Sequence, residues 1–405
     1  MESSDQQAIS ARVRKQPRQY PFTGLISHQL MQGDGTVVKV SLENMNTPIQ
    51  SSTASAIHYP LGEALPKTGG TIEVAPGIRW LRMRLPFALD HINLWLLSDT
   101  IEGISGWTIV DCGIANDETK AAWEQVFATE LEGMPVLRVI VTHMHPDHVG
   151  LSQWLCEKWS VPLWISMTDY LTAQWLSHKE GGAATGSRAG SGGSADHFLK
   201  HGLSTPEDLE KIRARSNYYS NMVPGLPRQY RRIMDGETIL IGGRDWKIIM
   251  GYGHAPEHAC LYCKELEILI SGDMVLPRIS TNVSVYDADP DADPLGLYLD
   301  SLEKIDCLPV NTFVLPSHGK PFMGMKTRIA QLKAHHEERL AETIAACEKP
   351  AHAREIVPVL FKRELDIHQM TFAMGEAIAP LNYLLRRGTL SRQLCEDGVF
   401  RFCVV

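Results

Sequence analysis

The sequence contains no apolar run of about 18 residues, the length that reads as a bilayer-crossing helix, so no membrane span is expected. Its first residues, Met1-Glu2-Ser3-Ser4-Asp5, lack the basic stretch and apolar core of a secretory signal. The segment from Arg12 to Arg18 is too short, and too interrupted by proline, to read as a transit peptide. Cysteine is sparse and scattered: Cys112, Cys156, Cys260, Cys263, Cys307, Cys347, Cys395 and Cys403 do not make a disulfide framework. They read as reduced thiols in a cytoplasmic protein. Basic excess is missing too, because 39 Lys and Arg face 47 Asp and Glu, a formal net charge of -8. A generally basic nucleic-acid binder is thereby disfavoured, although net charge says nothing about a local patch. What remains is the balance of a globular protein, with 44% hydrophobic and 21% charged residues. A chain of 405 residues is long enough for two or three domains and a sizeable core.

Residues 1–70 are polar and weakly patterned and read as an N-terminal extension, partly flexible. From Thr71 the chain turns to short strands rich in Ile, Val, Leu and Trp: Thr71 to Val74, Ile78 to Met83, Ile92 to Leu97 and Thr108 to Asp111. An amphipathic helix is predicted over Asp117 to Leu131. The run Val136 to Val141, apolar except for Arg138, reads as a buried strand. A helix from Asp147 to Trp159 and a strand from Val161 to Ile165 follow, which makes an α/β layered domain. Residues 169–232 turn helical and polar and read as an insertion able to cover a site. The glycines between Gly181 and Gly193 mark a mobile loop within it. Strands resume at Glu237 to Ile241, Trp246 to Met250, Ala259 to Tyr262 and Leu266 to Ile270, then a helix at Leu295 to Ile305 and a strand at Asn311 to Leu315. The last stretch, 326–405, reads as a separate unit. Three helical segments precede two short strands joined by Asp397-Gly398, a hairpin signal that suggests a winged-helix module.

Chemistry is concentrated in Thr142-His143-Met144-His145-Pro146-Asp147-His148. Residues two apart on an extended segment face the same side, so His143 and His145 can share one ion. Pro146 turns the chain, and Asp147 and His148 start a helix from which they reach a neighbouring position. Imidazole and carboxylate without cysteine suit an open, catalytic metal site better than a closed structural one. The bland alternative, a loop of surface histidines, does not account for the other elements that accompany it.

This run resembles the His-x-His-x-Asp-His signature of the metallo-β-lactamase superfamily. The rest of that family's pattern occurs in order: Asp111 in Val110-Asp111-Cys112-Gly113, His254 and His258 in Gly253-His254-Ala255-Pro256-Glu257-His258, Ser271-Gly272-Asp273, and Pro316-Ser317-His318-Gly319. The resemblance implies an αββα sandwich over 71–325, with the helical insertion at 169–232 and a winged-helix-like C-terminal domain. It implies that His143, His145 and His254 bind one divalent metal, that Asp147, His148 and His318 bind a second, and that Asp273 bridges them. Asp111 and His258 would stand behind the ligands and orient them. Zinc is the default metal, with iron and manganese as alternatives. Asp147 and Asp273 would act on the reacting water. Ala255 and Glu257 depart from the family pattern and put the substrate class in doubt. Asp90, His91 and Asn93 lie in a loop that in this family covers the metals. They are candidates to touch substrate, with turn and cap roles as the alternative. Cys260 and Cys263 lie on a strand three apart, facing opposite sides, and read as core thiols.

The expected reaction is attack by a hydroxide, activated by both metals, on a small ester-type substrate: a thioester of the acyl-CoA or acyl-glutathione class, or a lactone. The alternative is an endoribonuclease acting on single-stranded RNA, for which Arg386, Arg387, Arg392 and Arg401 could meet phosphates. A third reading, a binder that keeps the fold without catalysis, is disfavoured by the full ligand set. True β-lactam hydrolysis is not expected of a chain without an export signal. The expected partner is a small molecule, with a homodimer compatible with the reading. Tyr218, Tyr219 and the segment Met222 to Pro227 could line an acyl pocket, but packing of the insertion onto the domain is favoured.

Overall fold

A computed structural model describes residues 56–178, 191–215 and 217–405. Most of the expected N-terminal extension, and the glycine-rich stretch as far as residue 190, lie outside the described residues. Seven strands form the first sheet in chain order: β1 (Ile72–Ala75), β2 (Ile78–Arg84), β3 (His91–Ile101), β4 (Ile104–Val110), β5 (Val136–Ile140), β6 (Leu163–Ile165) and β7 (Tyr230–Arg232). Pairing is antiparallel from β1 to β4 and parallel from β4 to β7. The second sheet holds β8 (Thr238–Ile241), β9 (Arg244–Gly251), β10 (His258–Cys263), β11 (Ile268–Gly272) and β12 (Phe313–Pro316), ordered β12-β11-β10-β9-β8.

The sandwich follows from the two-residue period of its strands. On β3, Leu94 and Leu96 pack outward among residues of the helices Asp117–Thr129 and Ser152–Trp159. Their neighbours Trp95 and Leu97 pack inward against Trp246, Ile248 and Leu261 of the second sheet. On β10, Cys260 and Tyr262 face the outer helical layer, while Ala259, Leu261 and Cys263 face the first sheet. Helix, sheet, sheet, helix is therefore the layer order. All eight cysteines are unpaired. No helix among the described residues is long and apolar enough to cross a membrane.

The helices Met325–Ala346, Ala353–Leu360 and Ile367–Arg386 are followed by the hairpin β13 (Leu390–Leu394) and β14 (Phe400–Val404). This stretch shares its core with the second sheet: Leu332, Ile356, Ile378 and Phe402 belong to one apolar cluster with Leu269, Val314 and Tyr298. Phe198, Leu209 and Ile212 of the insertion join the same cluster. Gly192 and Gly193, expected in a loop, begin the helix Ser191–Lys200. The burial of Ala195 and Phe198 in that core outweighs their poor helix propensity.

Candidate metal centre

The loops following β5, β9, β11 and β12 meet at one edge of the sandwich, where open α/β sheets present their binding residues. Hydrogen bonds between the sheets fix that edge: Ala259 N–H donates to Thr142 O at 2.8 Å, and Asn93 N–H to Ser317 O at 2.7 Å. The expected helix Asp147 to Trp159 is in fact two, Pro146–Val149 and Ser152–Trp159. The chain changes course at Gly150, where a Cβ would stand 2.8 Å from both Gly113 O and Ala115 N. That close approach seats the His148 turn against the Asp111 loop, with Cys112 N–H bonded to His148 O at 2.8 Å.

Four of the five clustered histidines have Nδ1 engaged from behind. His148 Nδ1 donates to Asp111 Oδ2 at 2.8 Å, and His143 Nδ1 to Thr142 Oγ1 at 3.0 Å, whose hydroxyl in turn donates to Asp111. His254 Nδ1 donates to Asn282 O at 2.7 Å and His318 Nδ1 to His91 O at 2.8 Å. Each bond fixes a tautomer and leaves Nε2 with its lone pair facing inward. His145 instead turns Nδ1 inward, 2.9 Å from His143 Nε2.

The inward atoms form two groups, His143, His145, His254 and Asp273, and Asp147, His148 and His318. Asp273 lies against both. Its Oδ2 is 3.0 Å from His254 Nε2, 3.8 Å from His143 Nε2 and 3.6 Å from His148 Nε2, and its Oδ1 is 3.4 Å from His318 Nε2. Asp147 Oδ2 is 3.4 Å from His318 Nε2. Ligands about 2.0–2.2 Å from a shared ion stand roughly 3.3–3.6 Å apart in a tetrahedron, so these spacings fit divalent ions. His148 Nε2 is fully buried and has no hydrogen-bond partner, a cost that a cation removes.

Electrostatics agree. Burial, reinforced by the neighbouring imidazoles, pushes His143 and His145 well below the ordinary histidine range, which keeps them neutral and able to ligate. Burial also works against charge on His148, yet Asp111, Asp147 and Asp273 raise it well above that range. Three carboxylates thus favour positive charge at this point. The Asp273 carboxyl, which burial would raise, is held well below the carboxylate range by His318 and His148.

His258 sits behind this layer. Its Nε2 accepts from Asp273 N–H at 3.0 Å, and burial pushes it down to about 3, so it stays a neutral acceptor. Gly272, at φ +50°, is needed here because a Cβ would lie 2.3 Å from that nitrogen. Asp111 holds a positive φ of 64°, tolerated by Asp, and accepts bonds from Thr142 N–H and His148. Asp111→Asn is expected to weaken metal binding roughly 10–100-fold with the fold retained. Titration against a chromophoric chelator would check this, and unchanged affinity would rule out the orienting role.

Of the three candidates for substrate contact, the structure places Asn93 inside the protein. It is fully buried, donates to Pro316 O at 2.8 Å and Gly319 O at 3.1 Å, and accepts from Trp80 Nε1 at 2.8 Å. His91 Nε2 accepts from Gly319 N–H at 2.8 Å, which holds the His318 loop, and its Nδ1 bonds the neighbouring Asp90 at 2.6 Å. The exposed Asp90 acts through that bond. The open space lies on the other side, in a cavity of about 550 Å³ whose walls include His145, His254, Trp175, Tyr218, Tyr219 and Phe372. Tyr218, Tyr219 and Met222 therefore face the cavity, and Tyr219 also packs, donating its hydroxyl to Met144 O.

Sequence reasoning missed two supports. Buried Asp169, raised to about 7 by desolvation, accepts from Met144 N–H at 2.8 Å and Glu257 N–H at 2.7 Å, clamping two ligand loops together. The available signal was an acid three residues after Ser166, at the start of a helix following a strand. Glu376, raised to about 7 by burial, accepts from Asn282 Nδ2 at 2.6 Å, and Asn282 O holds His254. No local pattern marks that link from the C-terminal helix.

The arginines that the RNA alternative would use are engaged internally. Arg386 donates to Asp291 O, Arg387 pairs with Asp293 at 2.9 Å, Arg392 with Asp291 at 2.8 Å and Arg401 with Asp397 at 2.6 Å.

Residues 91–318 match the family model described as metallo-beta-lactamase superfamily, and residues 340–405 that of the metallo-beta-lactamase-like C-terminal domain. The crystal structure of a beta-lactamase domain protein from Burkholderia ambifaria is similar, with 52% identity, a TM-score of 0.80 and coverage of 86% of this chain and 98% of that one. The probable metallo-hydrolase YqjP of Bacillus subtilis is 24% identical over 297 residues, 70% of this chain and 86% of that protein. The atrochrysone carboxyl ACP thioesterase AacuM of Aspergillus aculeatus is 24% identical over 209 residues, 50% of this chain and 63% of that protein.

Proposed function

Because the chain belongs to the metallo-beta-lactamase superfamily, we propose that it is a two-metal hydrolase of ester-type substrates, thioesters first and lactones second. The observation that carries this reading is the convergence of seven ligand atoms from four loops, with Asp273 between the two groups, at the wall of an apolar cavity. Two divalent ions held there would supply a nucleophilic water at neutral pH and polarise the carbonyl under attack. Imidazole and carboxylate together suit zinc, with iron and manganese as alternatives.

The chain's own groups do the rest. His143, His145 and His254 form one half of the nest, Asp147, His148 and His318 the other. Asp273, ionised, spans both. Asp147, only partly buried, would offer its carboxylate to the proton that the attacking water loses. His145 and His254 border the cavity, so a carbonyl seated there reaches the ligand face directly. A relative described as an ACP thioesterase supports placing thioesters first. No serine or cysteine nucleophile is required, and Cys260 and Cys156, the buried thiols nearest the ligands in sequence, are driven far up by burial and are inert.

The test is chelation followed by reconstitution with zinc, iron or manganese, with turnover read on a thioester and lactone panel and on single-stranded RNA. Thioester cleavage should vanish with the metal and return with it. Cleavage that survives complete metal removal, or metal-dependent cleavage of RNA alone, would overturn the proposal.

A further inference from the structure

The cavity beside the ligands also bears on the acyl part of the substrate. Its inner wall is apolar and buried, formed by Phe198 and Ile212 of the insertion together with Met144. Its mouth is rimmed by large apolar side chains that are left unusually open: Trp175 is 46% exposed, Tyr286 46%, Leu297 50% and Phe372 42%. These four come from segments far apart in sequence: the helix Met167–Ser177, the loop before residue 294, the helix Pro294–Asp306 and the C-terminal helix Ile367–Arg386. Single exposed apolar residues are ordinary, but four gathered round one opening mark a surface that an apolar partner covers.

The volume, about 550 Å³, exceeds what a small acyl group fills and lies within the range of pockets that enclose drug-sized molecules, about 300–1,000 Å³. Charged lining residues are Arg215, Asp287 and the exposed Asp289; Arg215 stacks on Tyr218 at 4.3 Å, and Asp287 is bonded by Ser194 at 3.3 Å. A charged or strongly polar acyl group would lose its hydration against this wall without gaining partners.

Resting on the hydrolase reading above, we propose that the substrate is a thioester of a long or bulky apolar acyl group. The acyl chain lies in this cavity between the C-terminal helix and the insertion, with its carbonyl at His145 and His254. The C-terminal helix is thereby part of the substrate site. It is held in place where Gly375 O accepts from Val285 N–H at 3.2 Å, with no room for a Cβ against Ser284.

The experiment uses the full chain loaded with zinc and a series of saturated acyl thioesters of N-acetylcysteamine, from acetyl to dodecanoyl. kcat/KM is expected to climb by about fourfold for each methylene that enters the cavity, the step that burying one CH₂ supplies. Ile212→Trp, which fills the inner end, should lower the dodecanoyl-to-acetyl ratio roughly tenfold. Leu297→Ser at the exposed mouth leaves the core untouched and should raise KM for the dodecanoyl thioester roughly tenfold. A ratio that is flat or falls with acyl length, while the acetyl thioester is cleaved, overturns this proposal and leaves the hydrolase standing. Metal-loaded protein that cleaves neither thioesters nor lactones overturns both. A dodecanoyl preference untouched by either substitution removes the cavity assignment.

Discussion

Asp273→Ala is expected to lower bound metal to at most one ion per chain and to reduce turnover by well over 100-fold. The expectation comes from its position rather than from its charge alone. The Asp273 carboxylate lies within 4 Å of the inward nitrogens of both groups, through Oδ2 to His254, His143 and His148 and through Oδ1 to His318. Removing it takes a donor from each ion at once, and the buried imidazoles lose the anion that faces them. Changes behind the ligands cost roughly 10–100-fold, so loss of the shared ligand should exceed that. Ser317 Oγ, which donates to Asp273, loses its partner as well. The backbone bond from residue 273 to His258 survives the substitution, so the loop should stay in place and circular dichroism should match the parent. Metal counted by mass spectrometry alongside turnover decides the matter. Two tightly held ions in the variant would show that Asp273 does not bridge.

The cluster of candidate ligands was readable because chemistry and backbone marks coincide. Four of the seven lie within six residues of one another, directly after a strand whose apolar run identifies it as buried. The others stand beside glycines at strand ends: Gly253-His254, Gly272-Asp273 and His318-Gly319. The strands were readable as short apolar runs, but their layering entered only through the resemblance, because β3 and β10 are buried on both faces and no polar alternation marks which core each residue joins.

The substrate side was not readable. Phe198, Trp175 and Phe372 are apolar residues on amphipathic helices, and that pattern is the same whether a side chain meets a core or an opening. Asn93 misleads in the opposite sense. A polar residue in a loop-proximal strand suggests contact with a ligand, but its partners Pro316 and Gly319 are 223 and 226 residues away in sequence. Asp169 and Glu376 act on backbone or amide groups of distant loops, and no spacing within their own helices reveals that. The same holds for Arg138, visible as the one charge in an apolar strand while its purpose was not.

Arg138→Leu is expected to destabilise the protein by about 3–5 kcal/mol, the range for breaking a buried ion pair on one side. Arg138 and Asp99 are both almost fully buried. Nη2 and Nε of Arg138 reach Asp99 Oδ2 at 2.6 and 2.9 Å, and Nη2 also donates to Leu240 O at 2.8 Å. Asp99 Oδ1 accepts in turn from Gly242 N–H at 2.9 Å, and Oδ2 from Thr108 Oγ1 at 2.6 Å. Strands β3, β4 and β5 of the first sheet are thus tied to the β8–β9 turn of the second. Loss of the guanidinium leaves a buried carboxylate with neutral donors alone, and leaves Leu240 O without this donor. Asp99→Asn should also be costly, because it keeps an acceptor for Gly242 but strands a buried cation. In the double variant neither charge remains unpaired, so its cost should fall short of the sum of the singles by about 0.5–3 kcal/mol. Urea midpoints of the four proteins measure this, and additive costs, or a loss below about 1 kcal/mol for Arg138→Leu, would dismiss the staple. The pair bears on function because the metal nest is divided between the sheets. His143, His145, Asp147 and His148 follow a strand of the first, while His254, Asp273 and His318 follow strands of the second. Ligand spacings of a few ångströms across that division require the sheets to keep one relative position, and an apolar interface alone, being non-directional, specifies that position less sharply than a bonded pair does.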